Sequence, residues 1–228
     1  MKLSSLLLMA LCLPPLLNDA VGQAKESLFQ LKQCNVANPE NTPRPVFPVP
    51  SRRQMLWNET EFYAFFHYGM DTYTGKEWGD GTEDESIFAP TRVPDPAQWL
   101  RVAKQAGMKY AVMTAKHHDG FCLFNSATTN WKSDRDYVRE FLEAFRKEGL
   151  KVGLYYSLLD WHHPDYPHYQ DLHHPMRNHP EYSNENRDFN RYLNYMFAQV
   201  KELVTNYGKL DILWFDAGWV CGHNGQDI

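Results

Sequence analysis

The feature that most constrains this chain is an alternation of short apolar runs with helical segments that each close on a glycine. The runs are Phe62–His67, Lys109–Ala115, Lys151–Ser157 and Leu210–Phe215. Between them, Asp95–Ala106 carries apolar residues at helical spacing and is followed by Gly107, while Ser133–Glu148 and Glu185–Tyr207 end before Gly149 and Gly208. Glycine tolerates the left-handed conformation in which helices commonly stop, and Ser133 suits an N-cap. Runs apolar at successive positions, rather than only at alternate ones, belong to strands covered on both faces. Such strands, joined through helices, pair in parallel. The fold class is α/β.

An open doubly wound sheet and a closed (β/α)8 barrel both satisfy this alternation. No glycine-rich phosphate loop follows the first run, which weakens the nucleotide-binding form of the open sheet. Polar clusters stand instead at the C-terminal end of every run, the rim on which a barrel builds its active site. The expectation is a TIM-like (β/α)8 barrel. Only about the first four βα units fit before Ile228, whereas a closed barrel has eight, so residues 51–228 read as a truncated N-terminal half of a catalytic barrel.

The segment ahead of it divides in two. Met1-Lys2 precedes an apolar run from Leu3 to Leu17, and Asn18–Ala24 supplies small residues for cleavage. One positive charge, a short apolar core and small residues describe a secretory signal rather than a membrane span, so residues 1–24 are expected to direct export. The destination is a periplasmic, extracellular or lysosomal-type compartment. Residues 25–50 include Pro39, Pro43, Pro45, Pro48 and Pro50, which keep a lead-in arm extended and out of any central strand.

Charge removes one class of function. The formal net charge is -5 and no basic stripe interleaves with aromatics, which argues against nucleic-acid binding. Cys34, Cys122 and Cys221 are too widely spaced for a disulfide framework or a zinc motif. His162, His163, His168, His173, His174 and His179 lack a ligand spacing and read as loop histidines in a solvated insertion. Glu83-Asp84-Glu85 reads as a solvated loop face.

The strand-end clusters carry the chemistry. They are His67-Tyr68-Gly69, Lys116-His117-His118-Asp119-Gly120, Tyr155-Tyr156-Ser157 and Phe215-Asp216-Ala217-Gly218-Trp219, with Lys76-Glu77-Trp78 in the loop after the first strand. Adjacent strands of a barrel deliver these ends to one cavity. Histidines, carboxylates and tyrosines supply donors and acceptors for hydroxyls, and flat aromatic rings suit the face of a pyranose. His117 and His118 do not read as a shared metal site, because neighbours on a strand point to opposite sides. Asp216 has two readings, an N-cap for a following helix or a functional carboxylate held between Phe215 and Trp219.

The segments KHHDGF (Lys116–Phe121), GLYYS (Gly153–Ser157) and LWFDAGW (Leu213–Trp219), with FHYG and KEWGDGTED upstream, resemble the α-L-fucosidases of glycoside hydrolase family 29 over residues 55 to 221. The resemblance implies retaining hydrolysis of terminal α-L-fucosyl linkages on a (β/α)8-like barrel. It assigns Asp216 as nucleophile, and His67, Glu77, Trp78, His117, His118, Tyr156 and Trp219 to substrate binding. It implies no metal and no cofactor. The partner would be a fucosylated oligosaccharide or glycoconjugate. In this family the acid/base glutamate lies well beyond the nucleophile strand, so the resemblance places it outside these 228 residues. A catalytically inactive fucose-binding barrel is the alternative.

Overall fold

The computed structural model describes residues 48–167, 171, 173–183 and 185–217. The proposed signal segment and most of the proline-rich arm lie outside these residues, as do His168, Trp219, Cys34 and Cys221. The chain divides into two compact units at Glu61/Phe62. In the first, helix α1 (Arg52–Asn58) opens with a capping box: the Ser51 hydroxyl accepts the Gln54 amide proton, and the Gln54 side chain accepts the Ser51 amide proton.

The second unit is built on four strands, β1 (Tyr63–Phe66), β2 (Tyr110–Lys116), β3 (Lys151–Ser157) and β4 (Ile212–Asp216). They form one parallel sheet in chain order. A short helix α2 (Asp71–Thr74) follows β1, and α3 (Pro96–Gln105), α4 (Tyr137–Lys147) and α5 (Phe189–Asn206) connect successive strands. Each connecting helix begins on an aspartate whose side chain accepts an amide proton of the first turn: Asp95, Asp136 and Asp188. Gly107, Gly149 and Gly208, which follow the helices, all have positive φ. The second connecting helix, α4, has its cap three residues later than expected. Asp136 caps it, and the Ser133 hydroxyl instead receives the Arg135 amide proton within the preceding loop.

All seven residues of β2 are buried, as the unbroken apolar run requires. One face of the sheet packs against the helices: Ala64, Ala111, Met113, Val152, Leu154 and Tyr156 join Phe141, Phe145, Tyr192 and Leu203 in the main core. The opposite face carries a smaller aromatic cluster of Tyr110, Val112 and Tyr155, with Tyr63, Ile212 and Trp214 against it. Tyr63 stacks on Tyr110 at 4.3 Å. Phe141 and Phe145 are fully buried, and truncating either to alanine costs about 3–5 kcal/mol.

The insertion between β3 and α5 is not uniformly solvated. Asp171 is buried and accepts protons from the Trp161 indole (3.2 Å) and the Tyr166 hydroxyl (2.9 Å). His174 is completely buried beside Trp161, and burial pushes its pKa down to about 4. His162 stacks on Trp131 at 4.0 Å. Sequence spacing could not distinguish these histidines from exposed ones such as His179, because tertiary packing sets their burial.

Candidate active site

Parallel strands bring their C-terminal ends to one edge of the sheet, and a cavity of about 610 Å³ opens there. Its walls are Phe65, His67, Asp71, Thr72, Lys76, Glu77, Trp78, His117, His118, Tyr155, Trp214 and Asp216.

Asp216 is the last residue of β4 and pairs with Ser157. The Tyr155 hydroxyl donates to its Oδ2 at 2.6 Å and the Ala217 amide donates to its Oδ1 at 2.8 Å. An N-cap side chain bonds an amide two or three residues ahead. Asp216 bonds the very next one, and the amides at 218 and 219 that a cap would bond lie outside the described residues. Ala217 is buried at φ 66°, a left-handed conformation that costs a non-glycine residue about 1–2 kcal/mol. Burial and the bond to Asp216 raise the Tyr155 pKa, so this hydroxyl remains a donor at every physiological pH.

The histidines form one group. His117 and His118 stack with ring centres 4.1 Å apart, and His67 meets His117 edge-on at 4.4 Å. The expectation that His117 and His118 diverge fails here. Alternation holds only along a strand, and β2 ends at Lys116 after a register shift between Thr114 and Lys116. Beyond that point both rings turn into the cavity. His117 Nδ1 lies 3.1 Å from Asp71 Oδ2, and His118 Nδ1 lies 2.7 Å from Ser157 Oγ. Burial, with His117 beside it, pushes the His118 pKa down to about 2, so this ring is neutral. Loss of hydration and the neighbouring His117 also lower the pKa of His67.

His67, Asp71 and His117 each bring one ligand atom within 4.8 Å of the others, a donor set of two imidazoles and a carboxylate. The second oxygen of Asp71 is buried without a hydrogen-bond partner among the described residues.

The structure brings six of the expected residues to one cavity: His67, Glu77, Trp78, His117, His118 and Asp216. Trp219 lies outside the described residues. Tyr156 is a correction. It faces the helices, fully buried, and its hydroxyl donates to Gln199 Oε1 at 2.8 Å. The pocket tyrosine is its neighbour Tyr155, because successive side chains of β3 alternate between the two faces. Period-two alternation held both candidates, but nothing in the pair Tyr155-Tyr156 says which parity faces the cavity. Asp71, Trp214 and Phe65 were also missed; Trp214 and Phe65 fall on the same parity as Tyr155 and meet edge-on at 5.6 Å. Phe215, expected to help bury Asp216, is 46% exposed on the other face.

The loop between α2 and α3 is closed from within. Glu83 accepts amide protons from Asp80 (2.7 Å) and Gly81 (2.9 Å), so this carboxylate is a loop clasp rather than a solvated face. Trp78 stands beside His118 and Trp161, with ring centres at 5.8 and 6.0 Å.

A parallel α/β sheet here presents a histidine- and carboxylate-lined cavity at its strand ends, the edge on which α/β enzymes build their sites. The sequence model of the family "Alpha-L-fucosidase" matches residues 57–227, and the chain belongs to that family, glycoside hydrolase family 29. Alpha-L-fucosidase 1 of Arabidopsis thaliana is 33% identical over 76% of this chain and 32% of its own length. Tissue alpha-L-fucosidase of Rattus norvegicus is 35% identical over 76% of this chain and 42% of its own. Among solved structures, alpha-L-fucosidase isoenzyme 1 from Paenibacillus thiaminolyticus superposes with a TM-score of 0.65 at 49% identity, covering 72% of this chain and 42% of that one. The chain thus spans between about a third and a half of the length of these relatives.

Proposed function

We propose that the full-length protein is a retaining α-L-fucosidase that releases terminal fucose from glycans, with Asp216 as nucleophile. The observation that carries this is the placement of Asp216. Its carboxylate is held by the Tyr155 hydroxyl and the Ala217 amide on the wall of a cavity shared with three histidines. Retention requires one carboxylate to attack the anomeric carbon, expelling the leaving oxygen as a second carboxyl group protonates it; water then hydrolyses the glycosyl-aspartate. We assign the second group to a carboxylate outside these 228 residues, at roughly 5–5.5 Å from Asp216 when the sugar is bound. Glu77, on the cavity wall, is assigned to hydroxyl binding with His67, His117 and His118. Trp78 supplies an apolar surface for the sugar. The sheet is read as half of a (β/α)8 barrel, which places the cavity at the C-terminal rim where such enzymes work. Residues 1–24 are read as an export signal.

Two measurements on the full-length protein test the reading. With an aryl α-L-fucoside, the first sugar released should be the α-anomer by proton NMR; a β-anomer would overturn the retaining mechanism. Asp216→Ala should lower kcat on the order of 10³-fold or more, and unchanged turnover would remove Asp216 from the chemistry. A second reading rests on the His67–Asp71–His117 group, which would serve a metal-dependent hydrolase. It requires that activity be lost on chelation, whereas the fucosidase reading requires that it persist.

A further inference from the structure

The side chain behind His118 decides what the front of that ring can bind. Ser157 ends β3, is fully buried, and has a hydroxyl with a single proton. Four groups surround its oxygen among the described residues: the Leu159 carbonyl at 2.9 Å, the Leu159 amide at 3.0 Å, His118 Nδ1 at 2.7 Å, and the Tyr155 hydroxyl, whose own proton goes to Asp216 so that toward Ser157 it can only accept. The Leu159 amide can only donate, so it uses one acceptor site of the oxygen. The Leu159 carbonyl can only accept, and Leu159 is 1% exposed. Among the described residues, Ser157 is the donor the structure gives that carbonyl. Leaving a buried carbonyl unpaired costs about 1–3 kcal/mol. The single serine proton is therefore claimed by the Leu159 carbonyl or the Tyr155 oxygen, neither of which can donate to Ser157, and the remaining lone pair of the oxygen must receive a proton from His118.

We infer that Ser157 is a positioning residue that locks His118 in the Nδ1–H tautomer and leaves Nε2 as an obligate acceptor at the cavity. An imidazole otherwise free to donate or accept becomes one-directional. Position 118 then selects ligands that offer it an O–H or N–H, such as a sugar hydroxyl, over ligands that offer only acceptors. The tautomer assignment stands on hydrogen-bond accounting. Its consequence for sugar recognition rests on the function proposed above.

The tautomer is directly readable. Long-range ¹H–¹⁵N correlation spectra of the full-length protein, with His118 assigned by the signals that vanish in His118→Gln, should show a pyrrole-type Nδ1 and a pyridine-type Nε2 from pH 5 to 8. A pyridine-type Nδ1 in the wild-type protein overturns the proposal, whatever any variant does. Ser157→Ala should shift His118 toward the Nε2–H form, and Ser157→Thr, which keeps the hydroxyl, should restore the wild-type spectrum. Retention of the wild-type tautomer in Ser157→Ala would overturn the role of Ser157. Binding of L-fucose should weaken about tenfold in Ser157→Ala, as for loss of one well-placed hydrogen bond. A shifted tautomer with unchanged fucose affinity would uphold the positioning role and count against the sugar reading of His118.

Discussion

Asp119 shows how a single side chain records its surroundings. It follows the two cavity histidines, is buried, and spends Oδ1 on the Phe121 amide at 2.7 Å while Oδ2 has no partner among the described residues. Burial raises its pKa from the ordinary 3.8 to about 7, against the opposing pull of His117. The folded protein therefore holds this proton where the unfolded chain has released it. The associated stability is fully present below about pH 4, declines as pH rises, and is gone above about pH 7. Asp119→Asn keeps the acceptor for Phe121 and should flatten the decline between pH 5 and 7 in denaturation midpoints. An identical slope in wild type and variant would contradict the assignment. Tyr155 and Tyr156 make a second residue-scale contrast. Tyr155→Phe removes the donor to Asp216 and should lower kcat about tenfold with little change in stability. Tyr156→Phe removes the donor to Gln199 Oε1 in the core and should lower the melting temperature while leaving kcat in place. Reversal of the two phenotypes would return Tyr156 to the pocket.

The connections at the strand ends are elements in their own right, because they lock to one another behind the cavity. Lys116, the last residue of β2, places Nζ 3.0 Å from Asp160 Oδ2 and 4.5 Å above the Tyr156 ring, with both charged groups fully buried. The Trp161 amide donates to the His118 carbonyl at 2.7 Å, fastening the segment after β3 to the segment after β2. Gly120 makes this approach possible. Its φ is +73°, and a Cβ there would stand 2.2 Å from Asp160 Oδ1. Gly120→Ala should destabilise the protein by about 2 kcal/mol or more and disturb the histidines through Asp160. Lys116→Met strands a buried carboxylate and should cost about 3–5 kcal/mol. Chemical denaturation measures both, and a Gly120→Ala midpoint equal to wild type would show that the loop relaxes freely. The glycine stops after α3, α4 and α5 were legible from sequence, since a left-handed residue at a helix end is a local requirement. Helix starts were less so. Several Ser and Asp residues precede α4, and Asp136 is chosen by a tertiary bond, its Oδ2 accepting the Tyr207 hydroxyl at 2.8 Å.

For the whole molecule, the proposed activity and its setting carry their own expectation. The full-length protein should keep its fucosidase activity in excess chelator, and its secreted form should begin near Lys25 by N-terminal sequencing. Loss of activity that zinc restores would favour the metal reading, and a mature protein retaining Met1 would remove the export signal. The sequence by itself determined the α/β class, the order of the strands, the glycine stops, the family, and the set of strand ends that meet. Those properties follow from local rules: apolar periodicity, backbone preference at glycine, and contiguous motifs. Only the tertiary structure decided which tyrosine faces the cavity, that His117 and His118 turn the same way, and that Asp71 and Ser157 stand behind them. It also decided that Glu83 clasps its own loop. Each of these depends on the parity of a strand relative to the core, on a register shift, or on contacts between residues far apart in sequence. Such relations arise when the sheet forms and have no local signature in the chain.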